Sequence, residues 1–258
     1  METQAKTLLR LQDVCCGYGG AEVVHKVSFS VAEGEKLCIL GANGCGKTTL
    51  LRAICGLLAY TGSITAQGTE VRGTRRRALA RKIALMSQGA AADFDYTVYD
   101  TVLMGRYAHS RGLLGDIDAA GRDAAADCLR RCGLWELRDR LVTRLSGGQL
   151  QRVFLARTFA QDPAVILLDE PTSHLDLKYQ LELVDLLRDW AARPGRAVVG
   201  VLHDISLALR LADTLVLMKE GRVLDHLPAG RLQPAQLQAV YGVDVASYMR
   251  QALGYFSP

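Results

Sequence analysis

The chain has 258 residues, with 31 Lys and Arg against 27 Asp and Glu, a formal net charge of +4, 49% hydrophobic and 22% charged residues. That length supports one large domain or two lobes, and the balance of apolar and charged residues excludes a disordered chain. The mild charge, without a concentrated basic stripe, argues against a nucleic-acid partner.

From the N-terminus, METQAKTLLRLQDV lacks the apolar core of a secretory signal. No uncharged apolar run approaches the ~18 residues of a membrane span, so a membrane role is expected to come through a partner. The segment from Thr7 to Leu40 reads as several short strands with Gly-rich turns: LLRLQDV, VSFSV and KLCIL. Beyond it, strands and helices alternate, which predicts a mainly parallel sheet with crossover helices. The short runs KIALMS, AVILLD, AVVGVLH and TLVLM are rich in branched residues and predict strands buried on both faces. The dense basic run VRGTRRRALARK, Val71 to Lys82, reads as a solvated helix face in preference to a phosphate or lipid contact.

Between Gln88 and Leu145 the sequence is helical and Ala/Arg-rich, which predicts a helical subdomain inserted into the sheet lobe. Asp118 caps DAAGRDAAADCLRRC at its start, two arginines fill its last turn and Gly133 stops it. The expected division is therefore a single domain over 1–258, with 1–87 and 146–258 as core and 88–145 as the insert. The seven cysteines, including adjacent Cys15 and Cys16, follow no disulfide framework, which favours reduced thiols and a cytosolic setting. Cys128 and Cys132, one helical turn apart, read as buried residues in preference to metal ligands. The closing LQPAQLQAVYGVDVASYMRQALGYFSP is too short to fold independently.

GANGCGKT, Gly41 to Thr48, has the spacing of a phosphate-binding loop and falls between a predicted strand and a predicted helix. Glycines such as Gly44 and Gly46 let successive backbone N–H groups wrap phosphates, with Asn43, Cys45 and Thr49 in the same wrap. Lys47 supplies a point charge, and the Thr48 hydroxyl can ligate Mg²⁺. VILLDEP places Asp169 and Glu170 at the carboxyl end of a buried strand, the sheet edge where open α/β folds bind ligands. Asp169 is expected to hold Mg²⁺ and Glu170 to polarise the attacking water. Gln88 ends IALMSQ, suited to orient water or to touch the metal's shell, and His203 ends VVGVLH within reach of a γ-phosphate oxygen. Cys45, at a helix start two residues from Lys47, is expected to be a low-pKa, readily alkylated thiol guarded by nucleotide, unless its sulfur turns away. RLSGGQLQRVFLART, Arg144 to Thr158, opens a second helix with Ser146, Gly147 and Gly148, which is a second candidate anion site.

Taken together, the phosphate loop, Gln88, LSGGQ, VILLDE, SHLD at Ser173 to Asp176 and His203 resemble the ATP-binding-cassette (ABC) ATPases over nearly the whole chain. The resemblance implies an α/β P-loop NTPase fold with a mainly parallel core, an N-terminal antiparallel β subdomain and an inserted helical subdomain. It implies ATP with Mg²⁺, and a head-to-tail dimer in which Ser146, Gly147, Gly148 and Gln149 of one copy meet the nucleotide of the other, with Asp176 crossing the interface. Tyr18 matches the family's adenine-stacking aromatic, against the alternative of a turn tyrosine. His174 is expected to pack and not to catalyse.

TVYDTVLMGRYAH, DEPTSHLDLKYQ, VLHDISLALRLADTLVLMKEGRV and LQAVYGVDV resemble the importer ATPases for iron-siderophore, haem and vitamin B12. That implies a peripheral subunit on the cytoplasmic face of a bacterial membrane, paired with a multi-helix permease and served by an external binding protein. Ala90 to Arg111 is expected to form the groove for the permease. The competing expectations are a soluble ABC ATPase in cofactor assembly or DNA maintenance, and a nucleotide-binding scaffold without turnover.

Overall fold

The computed structural model describes residues 6–87, 95–110, 116–172 and 175–254. Strands β1 (Thr7–Tyr18) and β2 (Ala21–Ala32) form a long antiparallel hairpin. Each is twelve residues long, where the sequence suggested shorter pieces. Apolar Cys16, Val24 and Val27 extend the buried stripe through the stretch read as turns. The extra residues are absorbed in bulges, with Asp13 and Lys26 at positive φ of 47° and 48°. Strand β3 (Lys36–Leu40) leads into helix α1 (Lys47–Ile54). The chain then returns to the hairpin as β4 (Tyr60–Ala66) and β5 (Thr69–Glu70), completing a four-stranded sheet in the order β2-β1-β4-β5. That return departs from the expected regular alternation.

After the short α2 (Arg76–Ala80), β6 (Ile83–Met86) enters the second sheet. Helices α3 (Val98–Leu103) and α4 (Ala119–Arg131), with 3₁₀ turns after each, pack on α5 (Gly147–Ala160). As the sequence suggests, Asp118 caps α4 by accepting from Gly121 N–H at 2.9 Å, and Gly133 follows it at φ 65°. Strand β7 (Val165–Asp169), helix α6 (Leu177–Ala191), β8 (Ala197–Val201), α7 (Ile205–Leu211) and β9 (Thr214–Lys219) complete the alternation. An antiparallel edge strand, β10 (Arg222–Pro228), and two helices, α8 (Pro234–Tyr241) and α9 (Val245–Gly254), close the described chain.

The second sheet runs β10-β9-β3-β8-β7-β6, with every pair parallel except β10 with β9. Its strands divide their side chains between two cores with the period of two that a pleat dictates. Cys38, Leu40, Ile166, Leu168, Leu215 and Leu217 face one core, shared with α5 and α6. Leu37, Ile39, Val165, Leu167, Val216 and Met218 face the other, shared with α1 and the antiparallel sheet. This double burial fixes the strand ends, and with them the loops that carry polar groups. No helix among the described residues is long and apolar enough to cross a membrane.

Candidate functional site

The six residues from Gly41 to Gly46 join β3 to α1, and their glycines are required by geometry. Gly44 and Gly46 have φ of 78° and 102°, in the region that disfavours a side chain. A Cβ on Gly41 would stand 2.5 Å from the Met218 carbonyl oxygen, a contact that the backbone cannot relieve. The loop thus turns its backbone inward around Lys47, which is only 6% exposed. Lys47 Nζ donates to the Gly41 and Ala42 carbonyl oxygens at 2.7 and 2.9 Å, so the ammonium sits inside the loop that precedes it.

A cavity of about 320 Å³ opens over this loop. It is lined by Asn43, Gly44, Gly46, Lys47, Thr48 and Thr49, with Val23 from β2, Glu170 after β7 and His203 after β8. Parallel strands bring these ends together: β3 pairs with β8, and β8 with β7. Thr48 Oγ1 donates to Asp169 Oδ1 at 2.9 Å, which ties the helix start to the end of β7. Burial raises the Asp169 pKa above the usual aspartate value, as does the neighbouring Glu170 charge, while the Thr48 bond and the charges of Arg52 and Lys47 oppose the rise. The Glu170 carboxylate pairs with His203 Nε2. Glu170 holds φ 54°, and its N–H donates to the Val201 carbonyl oxygen at 3.0 Å, so the adjoining strand fixes its direction.

Hydroxyl and carboxylate at the Thr48–Asp169 contact are hard oxygen donors of the kind Mg²⁺ takes. Among the described residues no group of three or more His, Cys, Asp or Glu is placed to hold a metal ion together. A small donor set still suits an ion that usually binds through one or two carboxylates plus substrate phosphates.

Other predicted residues stand apart from this cavity. Tyr18 ends β1 and is 46% exposed, with its hydroxyl accepting from Arg52 Nη1 at 3.1 Å. Ser146 caps α5 in a reciprocal box: Gln149 N–H donates to Ser146 Oγ at 3.3 Å, and Ser146 N–H to Gln149 Oε1 at 3.1 Å. Gly147 faces open space, and a Cβ on Gly148 would strike the Tyr179 ring at 2.6 Å. Asp176 caps α6 by accepting from Tyr179 N–H at 3.0 Å. None of residues 146–149 lines the phosphate-loop cavity. Gln88, Ser173 and His174 lie outside the described residues.

The expected reactive thiol needs correction. Cys45 is 6% exposed, and its sulfur is buried beside Lys47 Nζ at 3.9 Å, where a Cβ on Gly41 would meet it at 2.6 Å. All seven cysteines are free thiols. Burial pushes Cys16 and Cys128 up to about 11 and Cys55 and Cys132 to about 12. Sequence reasoning missed Val23 in the cavity wall and the bond from Arg52 to Tyr18. Both arise between residues distant along the chain, and neither has a local signal.

Comparison with known proteins agrees with this geometry. Residues 24–173 match the ABC transporter family. The chain is 40% identical over 229 residues to the cobalamin import ATP-binding protein BtuD of Halobacterium salinarum, an alignment covering 88% of this chain and 57% of that protein. The chain therefore spans little more than half the length of that relative. It is 38% identical over 251 residues to the hemin import ATP-binding protein HmuV of Deinococcus radiodurans, covering 94% of this chain and 93% of that one. A solved ABC transporter described as of metal-chelate type, in an inward-facing conformation, superposes with a TM-score of 0.80 at 29% identity, covering 93% of this chain and 90% of that chain. The chain belongs to the ABC transporter family, and its fold is that of an ABC ATPase.

Proposed function

We propose that this chain is the ATP-hydrolysing subunit of a bacterial importer for an iron chelate, haem or corrinoid. The observation that carries the reading is one cavity in which Lys47, Thr48, Glu170 and His203 converge over a phosphate loop. The import class is supported by relatives named for cobalamin and hemin import. In this reading residues 1–87 and 146–258 form the ATP-binding core of one domain and 88–145 its helical insert. The subunit sits peripherally on the cytoplasmic face of the membrane, against a multi-helix permease that receives cargo from an external binding protein.

The mechanism follows from the side chains. The N–H groups from Gly44 to Thr49 wrap the β- and γ-phosphates, and Lys47 neutralises charge between them. Tyr18 stacks on the base. Thr48 and Asp169 would hold Mg²⁺, with Gln88 in its shell, and the ion would supply charge compensation to the phosphates. Glu170 orients and polarises the attacking water, and His203, paired with Glu170, donates to a γ-phosphate oxygen. Ser146, Gly147, Gly148 and Gln149 of a second copy cover the same phosphate, and Asp176 lies at the junction. Bound ATP joins the copies and hydrolysis releases them, which converts chemistry into motion of the permease.

The test is co-purification in detergent of the tagged chain from its native membrane. A multi-helix permease is expected to accompany it and to stimulate its ATPase activity. Recovery of the chain with only soluble partners, in a membrane fraction that contains intact permeases, contradicts the transport reading.

A further inference from the structure

A second hollow, of about 330 Å³, shares no lining residue with the nucleotide cavity. Its wall is formed by Arg81 after α2, by Arg106, His109 and Ser110 following α3, and by Asp118 and Gly121 at the start of α4. The cations here are bonded but not neutralised. Arg81 Nε donates to the Ala108 carbonyl oxygen at 2.7 Å and Arg106 Nη1 to that of Ala160 at 2.9 Å. His109 Nε2 bonds the Gln161 carbonyl oxygen at 2.8 Å. Arg77 adds a further charge, donating to Ser110 Oγ at 2.9 Å. A carbonyl satisfies an N–H but leaves the formal charge in place. Among the described residues no carboxylate forms an ion pair with Arg77, Arg81 or Arg106.

Four further observations bear on the charge of this wall. Asp118, the one carboxylate among its lining residues, keeps its negative charge while accepting from Gly121 N–H at 2.9 Å through Oδ1, and that charge counts against those of Arg81 and Arg106. Arg106 Nε is buried and has no hydrogen-bond partner among the described residues, so part of this guanidinium is desolvated there. Burial pushes the His109 pKa down, and the Arg106 and Arg81 charges push the same way against the Gln161 bond and Asp162. Helix α4 adds its N-terminal N–H groups, with no acidic residue in its first turn, while the Asp118 carboxylate that caps it offsets part of the dipole.

We propose that this hollow binds a phosphate-bearing anion, held by the Arg81 and Arg106 guanidiniums and the start of α4. Planar guanidinium forks match phosphate oxygens in pairs, and a helix start adds donors of the same sign. The phosphate comes either free in solution or on a lipid headgroup. The proposal asks nothing of the nucleotide cavity, but Arg106, His109 and Ser110 fall within Ala90 to Arg111, the segment expected to meet the permease, so it is tested on the chain by itself.

The full chain is first saturated with Mg²⁺ and a non-hydrolysable ATP analogue, so that the phosphate loop is filled. Inorganic phosphate is then titrated calorimetrically, with the His109 ring signal followed by NMR. Saturable binding that moves the His109 signal is expected. Arg81→Glu, at an exposed position, should weaken it by roughly 10- to 100-fold, as loss of a hydrogen bond to a charged group implies. Arg81→Lys should retain part of it, and both variants should bind the analogue as the wild type does. Co-sedimentation with phosphatidylcholine vesicles containing phosphatidic acid, competed by phosphate and lost in Arg81→Glu, would support the site with a lipid source. Phosphate binding without vesicle binding would support it with a soluble source. Absence of phosphate binding to the nucleotide-filled chain, or equal binding by Arg81→Glu, overturns the proposal. Protection of Arg81 only by a permease, with no phosphate bound, overturns it in favour of an acidic protein segment.

Discussion

Glu170 combines a backbone conformation uncommon outside glycine, φ 54°, with a side chain paired to His203 at the mouth of the nucleotide cavity. Such a position is sustained only when its neighbours over-determine it, here through the N–H bond to the Val201 carbonyl oxygen. Glu170→Gln keeps the shape and removes the charge that polarises water. It should retain ATP binding while turnover falls by at least about 10²-fold, the usual scale for a positioned general base. Parallel measurement of nucleotide affinity and steady-state ATPase rate checks this. Near wild-type turnover would remove Glu170 from the mechanism. Much of this constellation was legible beforehand, because the loop Gly41–Thr48 and the carboxylates after β7 are local patterns with one physical use. The burial of Cys45 was not legible, since the side on which its sulfur packs depends on Gly41 and the core beneath it.

At the level of elements, Glu70 anchors the β4–β5 turn by accepting from Tyr60 Oη and Ser63 Oγ, each at 2.6 Å, and from Ile64 N–H at 3.3 Å. Burial alone would raise its pKa, but these bonds outweigh burial and hold the carboxyl below the usual glutamate range. A depressed carboxylate contributes stability that is present above its unfolded pKa and lost as pH falls through the folded value. Glu70→Ala should therefore cost about 1–3 kcal/mol at pH 7. The gap to wild type should narrow as pH falls below the ordinary glutamate value of ~4.3. Urea unfolding across that range tests the sign, and an unchanged gap contradicts it.

Gly105 makes a different element-level contact, where the turn after α3 meets α5. A Cβ there would stand 2.3 Å from the Arg157 carbonyl oxygen, a backbone atom that cannot turn aside. Gly105→Ala should cost about 1–3 kcal/mol, as overpacking does; a melting temperature equal to wild type would contradict the close approach. Elements buried on both faces, such as β3, β7, β8 and β9, were readable from apolar runs. Strands β4 and β10 were missed because their exposure alternates and Gly62 or Arg222 dilutes the pattern. The hairpin β1–β2 was read too short because Gly17, Gly19 and Gly20 look like several turns, whereas one turn and several bulges accommodate them.

At the scale of the whole molecule, one sheet separates two cores and presents its strand ends to the phosphate loop, while the start of α5 lies outside that cavity. Ser146 and Gly147 are exposed there, with Gly147 facing open space, so the surface is free to meet another molecule. In the proposed reading, a second copy placed head to tail brings the start of α5 to the cavity that joins the phosphate loop to Glu170 and His203. ATP is then the joint between the two copies. Multi-angle light scattering of Glu170→Gln with Mg-ATP tests it most directly, with Glu170→Gln/Ser146→Arg run alongside and nucleotide binding by both confirmed. The account predicts an ATP-dependent dimer for the single variant and a monomer that still binds ATP for the double variant. A single variant that remains monomeric with ATP bound, or a double variant that dimerises equally well, would contradict it.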